Sequence, residues 1–408
     1  MPRAVYAVAT MDTKGEELAF VAERLADAGV PAVTVDVGTR GGPTRPPAVP
    51  RETVAACHPG GAAAVLGQTD RGRAVAAMAV ALREFLVREA AGGRVAGVIG
   101  LGGSGGTALI TPAMRALPVG LPKVMVSTVA GGNVGPYVGC SDVVMFPSVV
   151  DVAGLNAVSR RVLANAAHAV AGMATRPPPP AGGRPAVAMT MFGVTTPCVD
   201  AVRRALEAEG FDALVFHATG TGGRTMESLV AAGMVRGVLD VTTTEVADEV
   251  VGGVFPAGPE RFDATLAAGV PYVVSLGALD MVNFGAADSV PAEFRGRRLH
   301  VHNPHVTLMR TTADENRRFA RWVAGKVNRS TAPLTILIPA GGVSALDAPG
   351  QPFHDPEADA ALFGELERAV ERTPARVVRR LPLHINDPAF ADALVRAFLD
   401  LWHAAAPR

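Results

Sequence analysis

One uncharged stretch, Val95 to Thr107 (VAGVIGLGGSGGT), constrains the fold more than any other part of the chain. Val95, Val98 and Ile99 suit a buried parallel strand, and the run Gly102-Gly103-Ser104-Gly105-Gly106 then leaves the main chain nearly bare of Cβ atoms, so a ligand can approach it closely. Thr107-Ala108-Leu109-Ile110 begins a helix whose free N–H groups and positive dipole end face whatever occupies the loop. Phosphate suits that position best.

The same strand-to-helix grammar recurs along the chain. Val5 to Ala9 reads as a strand, Glu16 to Gly29 as an amphipathic helix and Pro31 to Val37 as a second strand, which makes one βαβ unit of a parallel sheet. Arg71 to Glu89 follows a helical pattern, Lys123 to Thr128 and Val143 to Phe146 are strands, and a helix runs on to about Gly172. Arg176-Pro-Pro-Pro-Pro-Ala-Gly-Gly-Arg184 is the composition break of a linker. After it the opening order returns, with Ala186 to Thr190 a strand, Thr196 to Gly210 a helix and Ala213 to Phe216 a strand. Val235 to Val241 and Pro271 to Ser275 echo earlier strands as well. The pattern predicts two α/β domains of related design, residues 1–178 and 184–408. Ligands in such sheets gather at the carboxyl ends of strands, so the loops at 10–14, 102–107 and 128–133 are expected to converge.

Composition narrows the function. A chain of 408 residues with 49% hydrophobic side chains has ample core for two domains, and 38 basic against 38 acidic residues give no net charge. No basic stripe points to nucleic acid and no cationic amphipathic segment to a membrane surface. The N-terminal strand is too short for a secretory peptide, and glycines with Pro112 interrupt the uncharged run between Arg94 and Arg115. Cys57, Cys140 and Cys198 are far apart and without a CxxC pair, which fits the cytoplasm and supplies no zinc or disulfide framework.

Individual motifs carry competing readings. Gly100-x-Gly102-x-x-Gly105 matches the dinucleotide fingerprint, yet Lys123 to Thr128 offers no acidic residue for a ribose, and no Gly-Lys-Ser/Thr follows for a Walker A loop. The alternative is a glycine turn needed only for strand–helix packing. In Thr10-Met11-Asp12-Thr13-Lys14-Gly15-Glu16, Thr13 and Glu16 form a capping box, or Thr10 and Thr13 hydroxyls hold a phosphate with Lys14 as a point charge. Lys14 is one of three lysines beside thirty-five arginines. Thr242-Thr243-Thr244-Glu245 is the second domain's counterpart, read as a capping box or an anion site. Cys198, near a helix start, is either a lowered-pKa thiol or an inert buried one. His300 and His302 share a face on a strand and suit a divalent metal or, with Thr307, Arg310, Thr311, Glu315 and Asn316, a polar cleft; no third metal ligand is fixed by spacing. Gly341 to Gly350, with Phe353, Asp355 and Asp359, is a polar loop region without the nucleophile-elbow pattern.

Taken together, MDTKGEEL, GVIGLGGSGGT, LPKVMVSTVAGGNVGPYVGCSD and MFPSVVDVAGLNAVS resemble the Tm-one-like ATP-binding family, named for a tomato mosaic virus resistance protein whose N-terminal region binds ATP. FGVTTPCV, DVTTTEVADEVVGG, FGAADSVPAEFRGRRLHVHNP, GVSALDAPGQPFHDPEAD and HINDP extend the resemblance over nearly the whole chain. It implies two Rossmann-like subdomains with mainly parallel sheets and a cleft between them, ATP in the first, and a homo-oligomer. Joined to the residue-level reading, it gives an expected nucleotide site of Thr10, Met11, Asp12, Thr13, Lys14, Gly102, Gly103, Ser104, Gly105, Gly106, Thr107 and Thr128. Asp12 is the carboxylate expected to meet a phosphate-bound magnesium ion; no resident metal site is assigned. The alternative expectation is a metabolic enzyme acting on a second small molecule, its reacting centre lined by Thr244, Glu245, His300, His302 and Arg310, or a module that closes on a ligand without chemistry.

Overall fold

The computed structural model describes residues 3–176 and 182–405, so the expected linker lies mostly outside the described residues. The chain divides into two compact units, residues 1–180 and 181–408.

The first unit holds β1 (Ala4–Ala9), β2 (Ala32–Asp36), β3 (Val95–Gly102), β4 (Lys123–Ser127) and β5 (Val144–Pro147), every neighbouring pair parallel, in the order β2-β1-β3-β4-β5. Successive side chains go to opposite faces. Val5, Ala7 and Ala9 join Ile99, Leu101, Val124 and Val126 under the helices Met11–Asp27 and Ala157–Thr175, while Tyr6, Val8, Val98 and Met125 pack under the helices Arg71–Ala91 and Ser104–Arg115. Both faces being covered, the strands read as unbroken apolar runs rather than as alternating ones. Each fully buried Val, Leu or Met contributes about 1.5–3 kcal/mol of transfer free energy. The sheet is therefore the rigid frame, and its carboxyl-edge loops are the part free to vary.

Strand order reverses between β1 and β3, one connection winding towards β2 and the other towards β4, so the loops after β1 and β3 part and leave a crevice. The helix expected at Glu16 starts instead at Met11, with Thr10 as its N-cap. The Asp36 carboxylate at the end of β2 accepts the Met11 N–H at 3.0 Å, and the Thr44 amide and hydroxyl, at 2.9 and 3.2 Å, donate to the Met11 carbonyl. Those long-range partners support a first turn that local pattern does not reveal. The helix is broken at Lys14 (φ −131°, ψ 22°).

The second unit repeats the winding. Its strands are β6 (Ala186–Met191), β7 (Asp212–His217), β8 (Gly237–Thr242), β9 (Tyr272–Gly277), β10 (Met281–Phe284), β11 (Leu299–Asn303), β12 (Val306–Arg310), β13 (Leu334–Pro339) and β14 (Arg376–Leu381). Six form a parallel sheet in the order β7-β6-β8-β9-β13-β14, the first unit's order with one strand more. Between β9 and β13 the chain inserts an antiparallel sheet, β10-β12-β11. Both units are thus Rossmann-like α/β folds with mainly parallel sheets, and the recurring topology accounts for the sequence echo.

Candidate functional site

At the β1/β3 crevice lies a hollow of about 450 Å³ lined by Thr10, Asp12, Thr13, Lys14, Thr39, Arg40, Arg71, Val75, Gly103, Ser104, Gly105, Gly106 and Leu109. Two sequence segments ninety residues apart meet there because the sheet sets β1 beside β3. The glycines divide by task. A Cβ on Gly100 would lie 2.6 Å from Met125 Sδ, and one on Gly102 would lie 2.8 Å from the Gly106 Cα, so these two serve strand–helix packing. On Gly103, Gly105 and Gly106 the nearest neighbours would be 3.6, 3.9 and 3.5 Å away, ordinary contact distances, so packing does not require glycine at these three. Ser104, Gly105 and Gly106 are the first three residues of their helix; their amides have no intrahelical acceptor, and no side chain caps them.

Charge in the hollow is unbalanced. Lys14, Arg40 and Arg71 stand against the single carboxylate Asp12. Among the described residues neither Arg40 nor Arg71 is in an ion pair. Asp12 Oδ1 is buried without a hydrogen-bond partner, an acceptor that a ligand, an ion or water must satisfy. Thr10 and Thr13 hydroxyls lie 3.3 Å apart, and Thr13 donates back to the Thr10 carbonyl at 3.3 Å. Thr13 thus sits inside the first turn rather than capping it, which corrects the capping-box reading. Val75 and Leu109 supply an apolar wall.

Four of the expected residues do not line the hollow. Met11 is buried in the core beneath the helix. Gly102 belongs to β3. Thr107 is buried, its hydroxyl bonded to the Gly103 carbonyl at 2.8 Å and the Ser127 hydroxyl at 2.6 Å, so it shapes the loop from behind. Thr128 lies beside Gly103 but outside the lining. Sequence reasoning missed Thr39, Arg40, Arg71, Val75 and Leu109, which only the folded topology delivers. It also missed Asp36, whose buried carboxylate accepts from Met11 N, from Gly38 N at 2.8 Å and from Arg51 Nε at 2.7 Å. An acid ending the second strand was the available signal. Here it ties down loops instead of facing the hollow.

The second unit does not gather its candidates. The Thr242, Thr243 and Thr244 hydroxyls are buried and bonded to Thr195 Oγ1 (2.7 Å), the Ser275 carbonyl (3.1 Å) and the Met281 carbonyl (3.5 Å), which removes the anion site expected there. Glu245 makes no capping box: it accepts the Gly220 and Gly223 amides at 2.7 and 3.0 Å and pairs with Arg261 Nε at 2.9 Å. Arg261, fully buried, also pairs with Glu227 at 2.9 Å and Asp240 at 2.8 Å. His300 and His302 lie on the edge strand β11; His302 is exposed, and His300 packs edge-on to Phe353 with ring centroids 6.1 Å apart. Among the described residues no group of three or more His, Cys, Asp or Glu is placed to hold a metal ion.

Arg310 belongs to another network. It donates to the Phe353 carbonyl and to Asp359 at 2.7 Å each, with Asp347 at 3.6 Å and Asp280 facing it. Burial above all pushes the Asp280 and Asp347 carboxyls up, and Asp359 up to about 7. After burial, the neighbouring Asp347 charge raises the Asp359 carboxyl further, while Arg310 pulls it down. Arg310 also borders a hollow of about 430 Å³ with Arg297, Arg298, Thr311, Thr312, Asp355 and Glu357. Cys198 is the inert alternative, its thiol pushed up to about 12 by burial.

The chain matches the N-terminal domain of the uncharacterised protein family UPF0261 over residues 3–179 and its C-terminal domain over residues 184–402. It is 57% identical over 397 residues to a UPF0261 protein of Rhizobium meliloti, covering 97% of this chain and 98% of that one. A UPF0261 protein of Clostridium tetani is 43% identical over 402 residues, 98% of this chain and 99% of its own length. The ToMV resistance protein Tm-1 of Solanum lycopersicum is 48% identical over 418 residues, 97% of this chain but 55% of the plant protein. No helix among the described residues is long and apolar enough to cross a membrane. On matches that span both domains, the chain belongs to the UPF0261 family.

Proposed function

We propose that the first unit binds a nucleotide, ATP by its family resemblance, in the cytoplasm. The observation that carries the reading is the hollow itself: uncapped helix amides at Ser104–Gly106 and the cations Lys14, Arg40 and Arg71 face one cavity at the switch point of a parallel sheet. Phosphates sit at the amides, the guanidinium groups neutralise them, and Val75 with Leu109 receives the less polar end of the ligand. A magnesium ion arriving with the phosphates would find Asp12 Oδ1 as its protein carboxylate. The test is the melting temperature with and without ATP and magnesium. Ligand at a hundred times its dissociation constant stabilises by about 2.7 kcal/mol. Gly105→Phe, whose Cβ has room but whose ring fills the hollow, abolishes the rise; equal rises in both proteins would refute the placement.

A second reading concerns the other hollow. Its arginines, Arg298 above all because it carries no carboxylate partner among the described residues, suit a second small anionic molecule, and Arg310 is the one earlier enzyme candidate that lines it. Loss of turnover in Arg298→Ala, with the fold intact, would support an enzyme centred there.

A further inference from the structure

Lys14 lines the hollow of the first unit, yet its ammonium donates to the Val152 carbonyl. Three residues on, Glu17 Oε1 accepts the Gly154 N–H at 2.5 Å. The segment they hold, Ser148–Gly154, leaves the end of β5 in a strained turn. The Val150 amide donates to the Ser148 carbonyl at 2.7 Å, closing a γ-turn centred on Val149 at φ +65°. A β-branched residue is rarely found there, and this form of γ-turn is itself strained. The Val149 side chain is 76% exposed, so packing does not offset the strain. The segment is held at one end by the Ser148 N–H on the Ser127 carbonyl at 3.1 Å and at the other by Lys14, by Glu17 and by the Ser159 hydroxyl, which donates to the Gly154 carbonyl at 3.2 Å, with the Val152 side chain buried between.

A neutral carbonyl is a weaker partner for an ammonium group than a phosphate oxygen. Lys14 stands at a backbone kink in the helix and lines the hollow, so a ligand there lies within reach of the same ammonium that the Val152 carbonyl holds. We infer that a phosphate-bearing ligand in the hollow draws Lys14 off Val152 and releases the strained strap Ser148–Gly154, making that strap the ligand-dependent surface of the first unit. The inference rests on the nucleotide reading and adds its regulation. It also assigns the trigger to the ligand's anionic part, because a neutral nucleoside has nothing to compete with the Val152 carbonyl.

Amide hydrogen exchange of the whole chain, read by mass spectrometry on the 148–154 segment, tests this alongside melting temperature. ATP or inorganic tripolyphosphate is expected to raise the melting temperature and to speed exchange of the segment about tenfold, the loss of one charge-assisted hydrogen bond. Adenosine leaves the exchange unchanged. Lys14→Met and Lys14→Gln exchange fast without ligand, and ATP adds nothing further. ATP that raises the melting temperature while leaving the strap equally or better protected overturns the coupling and spares the nucleotide reading. No melting shift with ATP or tripolyphosphate overturns both.

Discussion

Arg261→Met is the most severe single test of the second unit. The guanidinium is surrounded by Glu245, Glu227 and Asp240 at 2.9, 2.9 and 2.8 Å, all of them buried. Methionine keeps the apolar stem but deletes three charge-assisted hydrogen bonds, each about 1.5–3 kcal/mol, and leaves three carboxylates facing one another. The loss is partly offset, because each acid keeps other donors: Gly220 and Gly223 amides for Glu245, Phe262 and Ala264 amides for Glu227, and Thr190 and Tyr272 hydroxyls for Asp240. Breaking one buried pair costs about 3–5 kcal/mol, so a net loss of about 4–7 kcal/mol is expected here. Whole-domain stability is about 5–15 kcal/mol, so the variant should be marginal. Urea denaturation followed by circular dichroism at pH 7 measures the loss. At pH 5 it should shrink, because burial already pushes the Glu227 carboxyl up and a protonated acid no longer repels its neighbours. A loss below about 1 kcal/mol at pH 7 would refute the claim that this cation anchors the unit.

Stability should fall as pH rises from about 4 to about 7. Asp248 and Asp359 are pushed up to about 7 by burial, and Asp280 and Asp347 are raised as well. Acids raised in the folded state contribute stability fully present below their unfolded pKa of about 4 and lost as pH passes through the folded values. The melting temperature is therefore higher at pH 5 than at pH 8, and Asp359→Asn, which removes one of the raised carboxyls, flattens that slope; an unchanged slope refutes the contribution of Asp359. Val149→Gly relieves backbone strain at an exposed site and should leave stability level or raise it by up to about 1 kcal/mol, where ordinary substitutions to glycine lower it. Cys198 should resist thiol reagents in the native protein and react only on unfolding, whereas rapid native labelling would contradict its burial.

The strands were legible because parallel-sheet strands buried on both faces leave dense apolar runs, and Val95 to Gly100 or Pro271 to Ser275 can be little else. The glycine turn was legible for the same local reason. Partners brought together across the chain were not. Nothing near Thr242-Thr243-Thr244 signals that Thr195, Ser275 and Met281 take up the three hydroxyls, and nothing near Arg261 announces acids 16, 21 and 34 residues away. Arg40 and Arg71 were hidden likewise, one in a Pro/Gly-rich loop and one at a helix start that reads as a solvated face. His300 and His302 show the converse, since their spacing does place them on a strand, but a strand at a sheet edge, with no third ligand beside it among the described residues.

A crystal of the whole chain soaked with ATP and magnesium puts the central claim to direct measurement. Phosphate density within hydrogen-bonding distance of the Ser104, Gly105 and Gly106 amides, with Arg71 and Arg40 turned towards it, is the predicted result. An empty hollow at saturating ATP, or phosphates bound elsewhere on the first unit, would contradict it.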